Sequence, residues 1–514
     1  MADSFYITSP IYYVNDAPHI GHAYTSLACD VLARFNRLDG KQVMFLTGTD
    51  EHGQKVEKAA QAAGIAPKAF VDKVSQNFRD LCRTMNFSND DFIRTTEERH
   101  KHSVQALWRK LVEKGEIYLG KYAGWYAVSD EAFYGEDELT IRDGKRYGPS
   151  GKEVEWVEEP SYFFRLSAWR DRLLKFYDDN PDFIAPDTRR NEVISFVSGD
   201  LRDLSVSRTT FKWGIPVPND PAHIMYVWID ALTNYITAAG YPDTASASFR
   251  TFWPGMHMVG KDILRFHAVY WPAMLMAADI APPKRVFAHG WWTNEGQKIS
   301  KSLGNVIVPA ELVARYGLDP VRYFLLREVP FGQDGDFSHA AMVRRMNTDL
   351  ANDLGNLAQR TLSFIRKNCD GRLPAPGALT EADEALLREG RALLPEVRRL
   401  LEAQAFNRAL ELIWLCVGEA NRYIDAQAPW TLRKSDPVRM ATVLYVLAET
   451  IRRVALLLQP FMPDAMAKLL DQLGVAGGAR SFASYEAALA ANMALPAPQG
   501  IFPRFVETEA AAQG

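Results

Sequence analysis

A chain of 514 residues, 47% hydrophobic and 24% charged, exceeds one ordinary core and has the composition of a soluble globular protein, so roughly two to four domains are expected. The formal net charge of −4 argues against a nucleic-acid binder that works by bulk electrostatics. No basic stretch with an apolar core opens the chain, and long apolar runs are broken by charge, as at Arg452-Arg453, which points away from a signal peptide or membrane span and toward the cytoplasm.

The first segments read as a βαβ unit. Phe5-Tyr6-Ile7-Thr8 is extended and Asn15-Asp16-Ala17-Pro18 is a polar turn. Tyr24, Leu27, Ala28, Val31, Leu32, Phe35 and Leu38 then recur at helical spacing until Gly40, and a second strand runs from Val43 to Thr47. The first βα turn of an open α/β sheet is where ligand binds. Here that turn carries His19-Ile20-Gly21-His22. The helix N-terminus favours an anion, the imidazoles can donate to phosphate oxygens, and Gly21 lets a purine approach the backbone. Alone, these residues more readily describe a helix start with two solvated histidines, so the motif needs a partner. Asp50, within Thr47-Gly48-Thr49-Asp50-Glu51-His52-Gly53, sits at the carboxyl end of the second strand, where it could meet an ammonium group; an ordinary Gly- and Asp-rich turn is as compatible with these residues. Segments 54–64 and 67–85 are amphipathic helices.

Residues 116–222 change character, with short alternating runs such as Gly124-Trp125-Tyr126-Ala127-Val128 and Glu153-Val154-Glu155-Trp156-Val157, which predict an inserted, largely β module followed by helices. The α/β pattern returns at Met225-Tyr226-Val227-Trp228-Ile229-Asp230-Ala231, read as a strand that reaches Leu232, and at His257-Met258-Val259-Gly260-Lys261-Asp262. In the helix that follows, Ile263, Phe266, His267, Tyr270 and Trp271 share one face. Such a face is ordinarily core; beside Lys261-Asp262 it could instead wall a small pocket able to sense a polarizable sulfur. Lys298-Ile299-Ser300-Lys301-Ser302, between Gly296 and Gly304, could close on a polyphosphate, its ammonium groups neutralising charge on a leaving group, or be a basic surface loop.

The two histidines at the first βα turn and the lysine loop late in the same half, in this order, resemble the hallmarks of the class I aminoacyl-tRNA synthetases. More narrowly, the chain resembles the methionyl-tRNA synthetase family along nearly its whole length. The resemblance rests on Ser9-Pro10-Ile11-Tyr12-Tyr13-Val14-Asn15, Gly48 to Gly53, Tyr226-Val227-Trp228-Ile229-Asp230-Ala231-Leu232, Gly260-Lys261-Asp262-Ile263 and Phe266-His267 with Trp271. It continues in Asn356-Leu357-Ala358-Gln359-Arg360 and Asp425-Ala426-Gln427-Ala428-Pro429-Trp430. It implies a Rossmann-like parallel-sheet catalytic domain with an inserted connective module, followed by an α-helical bundle that binds the anticodon.

By the same resemblance, Ile11, Tyr13, Trp228, Ala231, Leu232, Tyr235, Ile263, Phe266, His267 and Trp271 line a methionine pocket, and Asp50 and Asp262 hold the α-ammonium and order the bound substrates. His19, Gly21, His22, Lys298, Ser300 and Lys301 bind ATP, carried with Mg2+, and His19, His22, Lys298 and Lys301 stabilise the transition state. Asn356, Arg360 and Trp430 contact unstacked bases of the tRNA(Met) anticodon; without the family, Trp430 would be read as the anchor of a helix end after Pro429.

The implied domains are 1–115 and 223–304 for the two catalytic halves, 116–222 for the insert, 305–347 for a linker, 348–486 for the helical bundle and 487–514 for a partly ordered tail. Leu386, Leu393, Val397 and Leu400, then Phe406, Leu410, Ile413 and Val417, then Leu444, Leu447, Ile451 and Val454 mark three of the bundle's helices. The sequence departs from the family where many members bind zinc: Tyr126 to Glu138 and Tyr147 to Gly151 hold no cysteine, and Cys29, Cys82, Cys369 and Cys416 are scattered, so no zinc is expected. No additional dimerisation domain is recognised, so a monomer is expected. Other class I synthetases for small apolar amino acids and a non-catalytic tRNA-binding relative are the competing readings.

Overall fold

Strand Ser4–Tyr13 lies at the centre of the molecule, and most of its side chains are buried because helices cover both faces of its sheet. In the computed structural model, which describes residues 3–14, 17–128, 132–300 and 303–507, six strands pair in one parallel sheet. Their order is Asp91–Arg94, Gln42–Asp50, Ser4–Tyr13, Met256–Gly260, Arg285–His289 and Ile184–Ala185. Ile7 is in register with Phe45 on one side and Met256 on the other. Strand order reverses between those neighbours, and the crevice at their carboxyl ends is where an open α/β sheet binds ligand.

The first helix, Ile20–Leu38, follows from the apolar spacing and ends where expected, with Gly40 at φ +83°. The insert contains an antiparallel sheet in which Ile117–Ala127 pairs with Glu155–Phe164 and with Ala132–Tyr134. Its helices Arg170–Asp179 and Asp187–Ser198 follow. Between them Ile184–Ala185 returns to the parallel sheet as an edge strand, so the insert is stitched into the catalytic half by two residues, too few to leave a periodic signal.

One expectation is corrected. Met225 to Ala231 does not form a strand of the parallel sheet: Asp220–Met225 belongs to a small antiparallel sheet with Ser207–Arg208 and Pro216–Val217, and Val227–Ala239 is a helix. A short apolar run has no period that separates buried strand from buried helix.

The helices Asn356–Asn368, Glu381–Glu402, Phe406–Gln427, Pro437–Leu458 and Pro463–Gln472 form the C-terminal bundle. One apolar core runs from the back of the first helix into this bundle, for instance Phe35 against Phe482 at 4.8 Å between rings. At its centre is the fully buried Arg322, in helix Leu318–Arg327. Its Nη2 donates to Asp30 Oδ2 at 2.6 Å and to the Pro460 carbonyl at 2.8 Å; Nε and Nη1 donate to the carbonyls of Phe461 and Met85, each at 2.9 Å. Arg398 also grips Asp39, the residue that caps the first helix, at 2.7 and 2.9 Å.

Where a partly ordered tail was expected, residues 492–507 form a strap. Asn492 N donates to Leu373 O at 2.7 Å, Leu373 N donates to Met493 O at 2.9 Å, Leu495 N donates to Gly371 O at 2.8 Å, and Asn347 bonds both the N and O of Phe505. The Phe505 ring lies 5.4 Å from Tyr316. These contacts repay the ordering of an Ala- and Pro-rich segment whose own sequence has no helical or strand period. No helix among the described residues is long and apolar enough to cross a membrane.

Candidate active site and anticodon face

The N-terminus of the first helix is capped by imidazoles. His19, in extended backbone, accepts the Gly21 N–H on Nδ1 at 3.1 Å, and His22 Nδ1 accepts the His19 N–H at 3.0 Å. Burial lowers the pKa of His19, against the opposing pull of Asp262, and lowers that of His22 well below the usual value, with His19 adding to the effect. Each ring is therefore neutral near pH 7, with its lone pair committed to backbone at Nδ1 and its proton on Nε2. Two N–H donors, on rings whose centroids are 3.9 Å apart, thus stand at the positive end of a helix dipole. Gly21 has a local reason as well: a Cβ there would lie 3.0 Å from His19 Cε1, so the glycine first makes room for the capping ring.

These imidazoles open into a cavity of about 340 Å³ at the switch point of the sheet. Of the residues assigned from sequence, Ile11, Tyr13, His19, Gly21, His22, Asp50, Trp228, Ala231, Leu232, Tyr235, Asp262, Ile263 and His267 all line it. Trp228, Ala231, Leu232 and Tyr235 come from helix Val227–Ala239, so the pocket strand expected around Leu232 is a helix. Its apolar end contains a fixed hydrogen-bond chain. Ile263 O can only accept, so His267 Nδ1 donates to it at 2.9 Å, and Nε2 accepts from Tyr235 Oη at 2.7 Å. Burial pushes the His267 pKa down to about 4.

Phe266 and Trp271 stand behind this lining. Phe266 stacks on Trp228 with centroids 3.4 Å apart, whereas the fully buried Trp271 donates from Nε1 to His257 Nε2 at 3.3 Å. The reason is a π-turn over Phe266–Tyr270, which advances the helix by an extra residue and rotates Trp271 off the face that strict helical spacing assigned it. Lys298, in the short strand Gln297–Lys298, is exposed and lies outside the cavity lining, as does Ser300. Asn305 pins the loop by donating to Lys298 O at 3.1 Å and accepting from Ser300 N at 2.8 Å. Lys301 and Ser302 lie outside the described residues.

Far along the chain, Asn356 opens helix Asn356–Asn368 and Arg360 follows one turn later. Arg360 bonds Asp425 at 2.7 Å and sets its guanidinium 5.3 Å from the Trp430 ring centroid. Trp430 keeps 45% of its surface exposed, so it is not an anchor sunk in the core. It edges a cavity of about 270 Å³ with Arg360, Phe364, Lys367 and Pro429.

Comparison with known proteins agrees with this anatomy. Residues 5–362 match the family model of class I tRNA synthetases (M), and residues 373–513 match the anticodon binding domain of methionyl tRNA ligase. The methionine–tRNA ligase of Brucella suis is 58% identical over 510 residues, 99% of each chain, and that of Rickettsia bellii is 58% identical over 99% of this chain and all of its own. The chain belongs to the methionyl-tRNA synthetase family. Among solved structures of that family, the Mycobacterium tuberculosis methionyl-tRNA synthetase in complex with methionyl-adenylate is 55% identical, with a TM-score of 0.96 over 98% of this chain and 100% of that one. The free form of the same synthetase gives 0.90 at 52% identity, over 99% of both chains.

Six further residues that line this cavity were not assigned from sequence, among them Pro10 and Tyr12 beside Ile11. Thr25 lies four residues after Gly21, on the same helix face, and its Oγ1 is 2.6 Å from His289 Nε2; the i, i+4 rule could have found it. His289 ends strand Arg285–His289 at the ligand edge of the sheet. Gly260 lines the same edge, and Trp291 donates to Asp262 Oδ1 at 3.2 Å. In the cysteine-free insert, a knuckle-sized hairpin pairs Trp125 with Tyr134, while Trp156 and Arg146 pack on Trp125 at 5.2 and 4.4 Å.

Proposed function

We infer that this protein activates methionine with ATP to methionyl-adenylate and transfers methionine to tRNA(Met). The observation that carries the reading is a cavity with an aromatic end at Trp228, Tyr235 and His267 and a pair of imidazole N–H donors at His19 and His22. It agrees with the family and with the adenylate carried by the Mycobacterium tuberculosis relative.

In this reading Asp50 and Asp262 take the methionine ammonium and the thioether lies against Ile11, Tyr13, Ala231 and Leu232. A carboxylate oxygen of methionine attacks the α-phosphorus of ATP in line, forming a P–O bond as the bond to pyrophosphate breaks. The Nε2–H groups of His19 and His22, joined by Lys298 and Lys301 when their loop closes, stabilise the charge that moves onto the phosphates. The 2′-hydroxyl of the tRNA terminal adenosine then attacks the acyl carbon and releases AMP. No enzyme side chain forms a covalent bond, so positioning and electrostatics supply the rate. Magnesium enters with the nucleotide substrate in this reading, and the His19 and His22 groups that face the phosphates are N–H donors.

Asn356, Arg360 and Trp430 take anticodon bases by hydrogen bonding and stacking. The exposed Trp430 ring beside the Arg360 guanidinium supports this, and a contact so local needs no net positive charge. We assign the chain as a cytoplasmic monomer. Amino-acid-dependent ATP–pyrophosphate exchange tests the reading: exchange is expected with methionine, and exchange with leucine, valine or cysteine but not methionine overturns it.

A further inference from the structure

On the pocket helix Val227–Ala239, Asp230 is entirely buried between two imidazoles. Its Oδ2 lies 2.6 Å from His52 Nδ1 and its Oδ1 lies 2.8 Å from His100 Nε2; all three side chains are almost or wholly out of contact with solvent. A buried carboxylate is costly unless its oxygens are matched by donors. Burial opposes its charge, and the two imidazoles outweigh that and hold its pKa down at about 2.

What the carboxylate joins is specific. Trp228, Ala231 and Leu232, which line the cavity, lie within two residues of Asp230 on the same helix. His52 lies two residues after Asp50, and its carbonyl accepts from Tyr13 Oη at 3.1 Å. His100 belongs to helix Glu98–Glu113, which packs against the pocket helix from the far side. One carboxylate thus ties the thioether wall of the cavity to its ammonium edge, while the His19 and His22 end shares none of these bonds.

We propose that Asp230, bridging His52 and His100, is a positioning residue that sets the separation of Trp228 from Asp50 and so tunes the methionine half of the site independently of the ATP half. The assignment rests on the methionine-activating function inferred above. An asparagine can keep one of the two bonds outright, accepting from one imidazole, and can keep the other only if the second ring changes tautomer to present a lone pair.

The test is steady-state ATP–pyrophosphate exchange by the full chain carrying Asp230→Asn, Asp230→Ala or His100→Gln. Asp230→Ala is expected to raise KM for methionine at least tenfold while KM for ATP stays within twofold, with Asp230→Asn between it and the parent. If Asp230→Ala does not fold, the asparagine and His100→Gln variants carry the same split at smaller amplitude. A parallel rise in both KM values, or a lowered melting temperature with both unchanged, overturns the proposal. Absence of methionine-dependent exchange in the parent would overturn the inferred function instead, and so distinguishes the two failures.

Discussion

Arg322→Met tests how firmly the catalytic half is bound to the helical bundle. The substitution keeps most of the side-chain volume but deletes a fully buried guanidinium with four short bonds, to Asp30 and to the carbonyls of Met85, Pro460 and Phe461. Breaking a buried ion pair by removing one partner costs about 3–5 kcal/mol. Asp30 retains Arg34 at 2.8 Å and both the N–H and hydroxyl of Ser88 at 2.6 Å, so the abandoned carboxylate is not stranded and the lower end, about 3 kcal/mol, is expected. Because the three carbonyls come from both sides of the junction, urea unfolding followed by circular dichroism should also broaden or split into two transitions. A single Arg322→Met variant within about 1 kcal/mol of the parent, unfolding in one transition of unchanged slope, would refute the reasoning.

Three other outcomes are expected. Lys301→Ala should slow adenylate formation in single-turnover exchange far more than it weakens methionine binding, and an unchanged exchange rate would remove the lysine from the polyphosphate. Trp430→Ala should depress charging of tRNA(Met) while leaving exchange intact; equal loss of both would make it a folding residue. The buried His267, neutral and accepting from Tyr235, has a folded pKa of about 4, below an unfolded value near 6.5. Its stabilising contribution is therefore complete above about pH 6.5 and is lost as pH falls toward 4, up to about 3 kcal/mol in all. Urea titrations from pH 7 to pH 4 should show a shallower loss for His267→Gln than for the parent, and parallel curves would contradict the assignment.

Much of the site was legible because its residues fall at strand ends and helix starts, positions that sequence marks well. His19 to His22 follow a polar turn and begin a periodic helix; Asp50 ends an apolar strand. What was not legible depends on geometry without period. Leu232 was expected on a strand because an apolar run that continues into a buried helix carries no alternation. Trp271 was expected in the lining because a π-turn leaves no trace in apolar spacing. His289 and Trp291 reach the cavity only through the pairing of Arg285–His289 with a strand nearly thirty residues earlier, and the strap gains order only from partners such as Asn347 and Gly371.

The strand order has a consequence for synthesis. Ile7 pairs with Met256, so the central strand emerges from the ribosome roughly 250 residues before the neighbour that closes one of its edges. At translation rates of about 5–20 residues per second, that edge waits some 12–50 s with its backbone groups unpaired. An apolar strand in that condition is a template for wrong partners. The nascent chain therefore passes through a period of chaperone dependence that ends only when the second catalytic half is made, and stalling within the insert should leave it more prone to aggregate than stalling after residue 289.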